Sequence, residues 1–147
     1  MNLRDWLENG WLIDHETSPA EIADLLAVTD RDLGDCESPG LSPDWKLAIA
    51  HNAALQAATA ALAASGYRAS REAHHYRTIQ SLRYTVEASP SLVATLDKFR
   101  KKRNMGGYER AGVVSEQEAQ EMLVLARRLR NEVKDWLHVH HPELMRG

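Results

Sequence analysis

Three of the four Ser-Pro pairs in this chain, and one Ser-x-x-Glu box without proline, stand directly ahead of residues with helical apolar spacing. They are Ser18-Pro19-Ala20-Glu21, Ser42-Pro43-Asp44-Trp45, Ser89-Pro90 and Ser115-Glu116-Gln117-Glu118. A serine hydroxyl at a helix start accepts from a first-turn N–H. A proline behind it presets φ and lacks an N–H that would have no partner there. Ser70 before Arg71-Glu72 is a weaker signal of the same kind. A chain that opens helix after helix in this way has few options other than a helical bundle.

The apolar pattern agrees. Ile22, Leu25, Leu26, Thr29 and Leu33 fall three or four apart, as do Trp45, Ala48, Ile49, Asn52, Leu55, Thr59 and Leu62. Leu92, Leu96, Phe99 and Arg103 form a shorter stripe. The longest comprises Met122, Leu123, Ala126, Leu129, Val133, Trp136 and Leu137. No segment alternates convincingly with period two. The reading is an all-α, up-and-down bundle of about five helices, near 19–33, 43–65, 71–87, 90–105 and 116–139. A short helix or turn precedes them near 2–12. Gly34 to Ser42 reads as a loop, Gly66 as a helix C-cap, and Gly106-Gly107 as the end of the fourth helix. Ten of the seventeen residues 48–64 are alanine, which suits a central helix or a seam between two copies.

The 147 residues suit a single domain, 1–147, with a core of its own. One cysteine, Cys36, excludes an internal disulfide framework. With no leader-like segment and no window near the roughly 18 apolar residues of a membrane span, the expectation is cytoplasmic, with no membrane partner.

Charge is divided along the chain. Residues 1–44 hold eleven acids against Arg4 and Arg31, a net −9. Residues 45–147 hold sixteen Lys/Arg against ten Asp/Glu, a net +6. The acidic segment, about 1–41, folds over the basic part, leaves it for an anionic partner, or simply mixes with it on the folded surface, because sequence halves are not spatial halves. Positive charge is densest at Lys98, Arg100, Lys101, Lys102 and Arg103, with Asn104, Met105, Gly106, Gly107 and Tyr108 behind it. Mutual repulsion makes such a cluster costly unless it meets an anion, acidic neighbours or solvent.

An Ala-rich helix ending in Ser65-Gly66-Tyr67 is followed by Glu72-Ala73-His74-His75. Next comes a helix ending in Arg103-Asn104-Met105-Gly106-Gly107-Tyr108, and then Val114-Ser115-Glu116-Gln117-Glu118-Ala119 opens a long helix. Over roughly residues 42–138 this order resembles the HEPN family (higher eukaryotes and prokaryotes nucleotide-binding), especially its small bacterial members. The resemblance implies a helical, often dimeric protein. It further implies a metal-independent ribonuclease, or a toxin beside a nucleotidyltransferase antitoxin. The family motif is Arg, four to six residues, then His, with a polar residue after the Arg. Carried over, Arg103 is the arginine, Asn104 the polar residue, and Tyr108 stands where the shortest form has histidine.

Metal-free RNA cleavage needs a base for the 2′-OH proton and a donor for the crowded phosphate. Arg103 fits the donor, because a guanidinium binds phosphate through two N–H groups. Tyr108 is a poor base at neutral pH, so the motif favours binding over hydrolysis. Lys98, Arg100, Lys101, Lys102, His74 and His75 are the accompanying nucleic-acid candidates, and antiparallel packing could bring one of the two histidines to Arg103. The bland alternative has Arg103 paired with an acid and the histidines serving the bundle. His51 reads as a core histidine. His138, His140 and His141 lack a carboxylate or thiolate to complete a metal set, and no cofactor motif is present. Cys36, in an acidic loop, is expected to have a raised pKa. Trp6, Trp11, Trp45 and Trp136 read as core or dimer anchors. Three classes of function follow: a ribonuclease-type RNA protein, a non-catalytic module pairing with itself or a nucleotidyltransferase, and a bundle whose basic cluster is covered by residues 14–37.

Overall fold

A computed structural model describes residues 1–108 and 112–146, with side chains given at all of these except 105–108. It is a mostly helical bundle with one small antiparallel ribbon. The order is α1 (Leu3–Glu8), β1 (Leu12–Asp14), α2 (Pro19–Asp35), α3 (Pro43–Ala64), β2 (Tyr67–Ala69), α4 (His74–Ser81), α5 (Pro90–Tyr108) and α6 (Glu116–His140). A 3₁₀ turn, Pro142–Met145, follows.

Each strong start signal acts as a cap. The hydroxyls of Ser18, Ser42, Ser89 and Ser115 accept from the N–H groups of Glu21, Trp45, Leu92 and Glu118 at 3.0–3.2 Å. Glu118 reciprocates on the Ser115 N–H at 3.1 Å, completing a capping box. Asn2 and Asp5 form a second box at α1. Gly66, at φ +97°, follows the C-cap Ser65 as expected.

α3 is the central element. Its neighbours are α2, α4, α5 and α6. Thr29 donates to the Ala53 carbonyl and Asn52 to Asp32, so residue numbers fall on α2 as they rise on α3. Arg130 on α6 meets Asp30, and Arg127 meets Glu37, in the same opposite sense. α2 is therefore antiparallel to both, and Lys46–Gln120 at 3.0 Å matches the start of α3 to the start of α6. α3 is buried almost all round, from Leu47 through Ala63, rather than along one stripe. Its alanines let the neighbouring backbones approach on every side. By length and composition α3 would pass as a membrane span, contrary to the expectation from sequence. However, 67% of that window is buried inside the bundle.

Three local expectations are corrected. The third helix covers only His74–Ser81, not 71–87. Beyond it Leu82, Arg83 and Tyr84 bond back three residues, and Ser81 and Thr85 bond their hydroxyls to carbonyls, which tightens the chain into turns. Ser70 is not a cap, because its N–H and hydroxyl both donate to the Trp11 carbonyl, at 3.0 and 3.1 Å. α5 continues through Gly106-Gly107 to Tyr108. Glycine costs a helix about 1 kcal/mol per residue but removes no hydrogen bond.

The ribbon itself was not expected. It pairs Leu12 with Ala69, Ile13 with Arg68 and Asp14 with Tyr67. Between it and the bundle lies a small second core of Trp6, Leu12, Leu62 and Ala69, bordered by Trp11, Tyr67 and Tyr84. The Arg77 guanidinium covers it, 3.8 Å from the Trp11 ring centre.

Candidate functional site

The basic cluster lies on α5, and the helix distributes it around its circumference. Leu96 and Phe99 are fully buried. Arg103, one turn beyond Phe99, is half-buried, as the stripe predicted. Arg100 donates Nε to Asp97 Oδ1 at 2.7 Å, and Lys101 Nζ is 3.5 Å from Oδ2 of the same carboxylate. Lys102 turns to α6 and meets Glu118 at 2.8 Å. Lys98 is exposed, with Nζ 5.4 Å from the Phe99 ring centre. Asn104 is exposed. The Tyr108 side chain lies outside the described residues.

Among the described residues, no acid of the N-terminal segment pairs with Lys98, Arg100, Lys101 or Lys102. Asp30 and Glu37 are spent on Arg130 and Arg127 of α6, and Asp32 on Arg31 and Asn52. The charge division of the sequence is thus resolved between α2 and the second half of α6. Arg100, Lys101 and Lys102 are balanced locally by Asp97 and Glu118, two acids that sequence reasoning did not assign to them.

α4 packs on α5 and brings its first turn to the other side of Arg100. There the Arg100 guanidinium lies 5.5 Å from the Tyr76 ring centre, and the His74 and His75 rings meet edge to face at 5.7 Å. Ala73, His74, His75, Tyr76 and Arg100 line an open cleft of about 450 Å³. The His75 pKa is lowered, first by partial burial of the ring and then by the positive charges of Arg103, His74 and Arg100. The Arg103 charge is thus near enough to His75 to contribute to that shift. Tyr76 and Asp97 are the members that sequence reasoning missed. Their only signal was position, one residue after the His pair and three before Arg100.

Behind this face sits His51, 1% exposed on α3. One ring nitrogen, Nε2, is 3.2 Å from the Leu96 carbonyl oxygen and donates to it, while Nδ1 has no hydrogen-bond partner among the described residues. Burial pushes the His51 pKa down to about 4, reinforced by Arg103, His75 and Arg100. It is a core histidine, as expected, and neutral at physiological pH.

The remaining candidates serve other ends. His140 and His141 pack their rings against Trp136, and His141 Nδ1 is 3.6 Å from Glu143. Among the described residues no three His, Cys, Asp or Glu side chains converge as metal ligands. Cys36 is buried at the end of α2 with its pKa raised to about 11, by burial first and Asp32 second. Trp6 is core, but Trp45 is 65% exposed, contrary to its place in the α3 stripe. As part of the first turn of α3, it projects beyond the helices that bury the rest. Comparison of the chain with family models, with curated proteins and with solved structures finds no match.

Proposed function

We propose that this is a HEPN-like helical protein acting on RNA or a nucleotide through the groove around Arg103, either as a ribonuclease-type toxin or as a degenerate relative that only binds. The observation that carries this reading is the open cleft lined by His75 of α4 and Arg100 of α5, with the Arg103 charge near enough to help lower the His75 pKa. A phosphate in the groove would face the guanidinium charge, and a neutral imidazole would stand beside it. That imidazole is the group the Arg103–Tyr108 motif lacks. In cleavage, His75 takes the 2′-OH proton and the 2′-oxygen bonds to phosphorus. The P–O5′ bond then breaks, and the leaving oxygen takes a proton from water. Arg103 and Arg100 offset the charge that builds on the phosphoryl oxygens.

The test is metal-free incubation of wild type, Arg103→Ala and His75→Gln with single-stranded RNA and tRNA, scoring cleavage and binding together. Cleavage lost in both variants supports the ribonuclease. Binding without cleavage, weakened only by Arg103→Ala, supports the binding module. If the folded wild type does neither, the RNA reading is wrong.

A second reading is a non-catalytic module that pairs with itself or with a nucleotidyltransferase. The exposed Trp45 and Val124, 65% and 54% accessible, favour it, since large apolar side chains in solvent mark docking surfaces. Sedimentation of wild type against Trp45→Ser tests the homodimer, and a monomer in both cases removes self-pairing.

A further inference from the structure

We propose that the cleft between the start of α4 and α5 is a phosphate-binding site. Its donors are the Arg100 Nη groups and the backbone N–H groups of His74, His75 and Tyr76, and the two imidazoles stand at its rim. This deepens the reading of the Arg103 groove. It rests on that reading for the polynucleotide but not for the phosphate.

The first support is the state of Arg100. Its Nε is held by Asp97, and its plane lies beside the Tyr76 ring, so the guanidinium is fixed before any ligand arrives. No acceptor among the described residues takes its Nη groups, although the side chain is only 21% exposed. A fork held this way presents two parallel donors to an oxyanion.

The second is the cleft itself. At about 450 Å³ it exceeds the volume of a phosphate, leaving room for the nucleoside attached to one. Its charged or ionisable side chains are those of Arg100, His74, His75 and Tyr76, and among the described residues no carboxylate lines it. Asp97 lies behind Arg100 on α5, outside the lining.

The third is the way α4 begins. Ala73 is left-handed at φ 53°, offers no side-chain cap, and no acid stands in the first turn. The His74, His75 and Tyr76 N–H groups have no protein acceptor among the described residues, and all three residues line the cleft together with Arg100.

The experiment is amide NMR on the intact chain, titrated with inorganic phosphate, with a 5′-phosphorylated dinucleotide and with acetate at matched ionic strength. Movement of the His74, His75 and Tyr76 amides with both phosphates, but not acetate, is expected. Arg100→Gln is expected to weaken that binding about tenfold. Arg100→Lys, which keeps the charge and the Asp97 pairing, serves if the glutamine variant fails to fold, and is expected to weaken binding about threefold. Equal movement with acetate overturns the proposal, as does phosphate affinity unchanged in a folded Arg100 variant. Amide shifts with phosphate in a protein that binds no RNA leave the cleft standing and sink the RNA reading. RNA binding that depends on Arg103 while residues 74–76 stay still does the reverse.

Discussion

Asn52 Nδ2 lies 2.7 Å from Asp32 Oδ2, joining the central helix to the acidic one through a carboxylate that is only 5% exposed. The other carboxylate oxygen takes Nε and Nη2 of Arg31, at 3.2 and 3.1 Å. Asn52→Ala removes the only donor to Oδ2 among the described residues and leaves a buried charged acceptor unmatched. The expected loss is about 2–3 kcal/mol in chemical denaturation. Asn52→Asp should cost more than the alanine change, because it sets a second carboxylate against the first. Equal stability of the two variants would sink the electrostatic part of this account.

His51 sets an acid limit on stability. Its folded pKa, about 4, lies below the ordinary value near 6.5. The unfolded chain therefore binds this proton first. Stability from this group is complete above about pH 6.5, falls as pH drops, and levels off near pH 4, a loss of roughly 3 kcal/mol. Denaturation midpoints measured from pH 7 to pH 4 should show that slope. In His51→Gln, where an amide can still donate to the Leu96 carbonyl, the slope should flatten.

His75 makes a separate prediction if the protein cleaves RNA. A base works unprotonated, and this one is held below the usual histidine range by partial burial and by Arg103. Cleavage should rise with pH through a pKa below about 6.5 and then stay level to neutrality. Arg103→Ala removes a neighbouring positive charge, so the same limb should move to higher pH in whatever activity remains. A limb that stays put in the variant would separate the two residues.

Arg77 stabilises the second core from outside. It lies 3.8 Å from the Trp11 ring centre and 5.8 Å from that of Trp6. Arg77→Ala should cost about 1–2 kcal/mol through the lost cation–π contact and lost aliphatic cover. Tryptophan emission should shift to the red as Trp11 gains water. Arg77→Lys should recover part of the stability but not the stacked plane.

Glu118 has two roles at one helix start: it closes the box on Ser115 and receives Lys102. Both interactions lower its pKa, Lys102 most of all. Its contribution is present above its ordinary carboxylate range and is lost as pH falls through the depressed folded value. Ser115→Ala should cost about 1 kcal/mol in thermal or chemical unfolding. Lys102→Ala should raise the Glu118 pKa in a carboxylate NMR titration.

The helical frame was legible because its signals are local. Ser18, Ser42, Ser89 and Ser115 act within four residues of themselves, and the stripe from Leu92 to Arg103 needs only one helix. α3 was legible as central from its alanines, yet its buried face was misread, since a helix covered on all sides has no preferred stripe. The ribbon was hidden for the opposite reason: three residues are too few to show alternation, and Leu12 finds its partner only at Ala69. Ala73 hid the start of α4, because a left-handed alanine leaves no mark in sequence. In the candidate site, Arg103 and the two histidines were visible as residue types. Their meeting depends on how α4 packs against α5, and Asp97 and Tyr76 acquire their roles only through that packing.

The pairing of Leu12 with Ala69 also has an order in time. α2 and α3 lie between the two strands, so the ribbon closes a long loop of chain whose entropy must be offset before any strand bond forms. On a ribosome the first fourteen residues emerge early and must wait for the sixty-ninth before they can dock. The helical bundle should therefore assemble first, with α1 and β1 joining last and leaving first. Hydrogen exchange should find the Leu12–Asp14 amides opening at lower free energy than those of Leu123 or Leu129. The N-terminal segment would then be the chain's late-closing clasp, the part on which a nascent or stressed molecule is most exposed to chaperones and proteases.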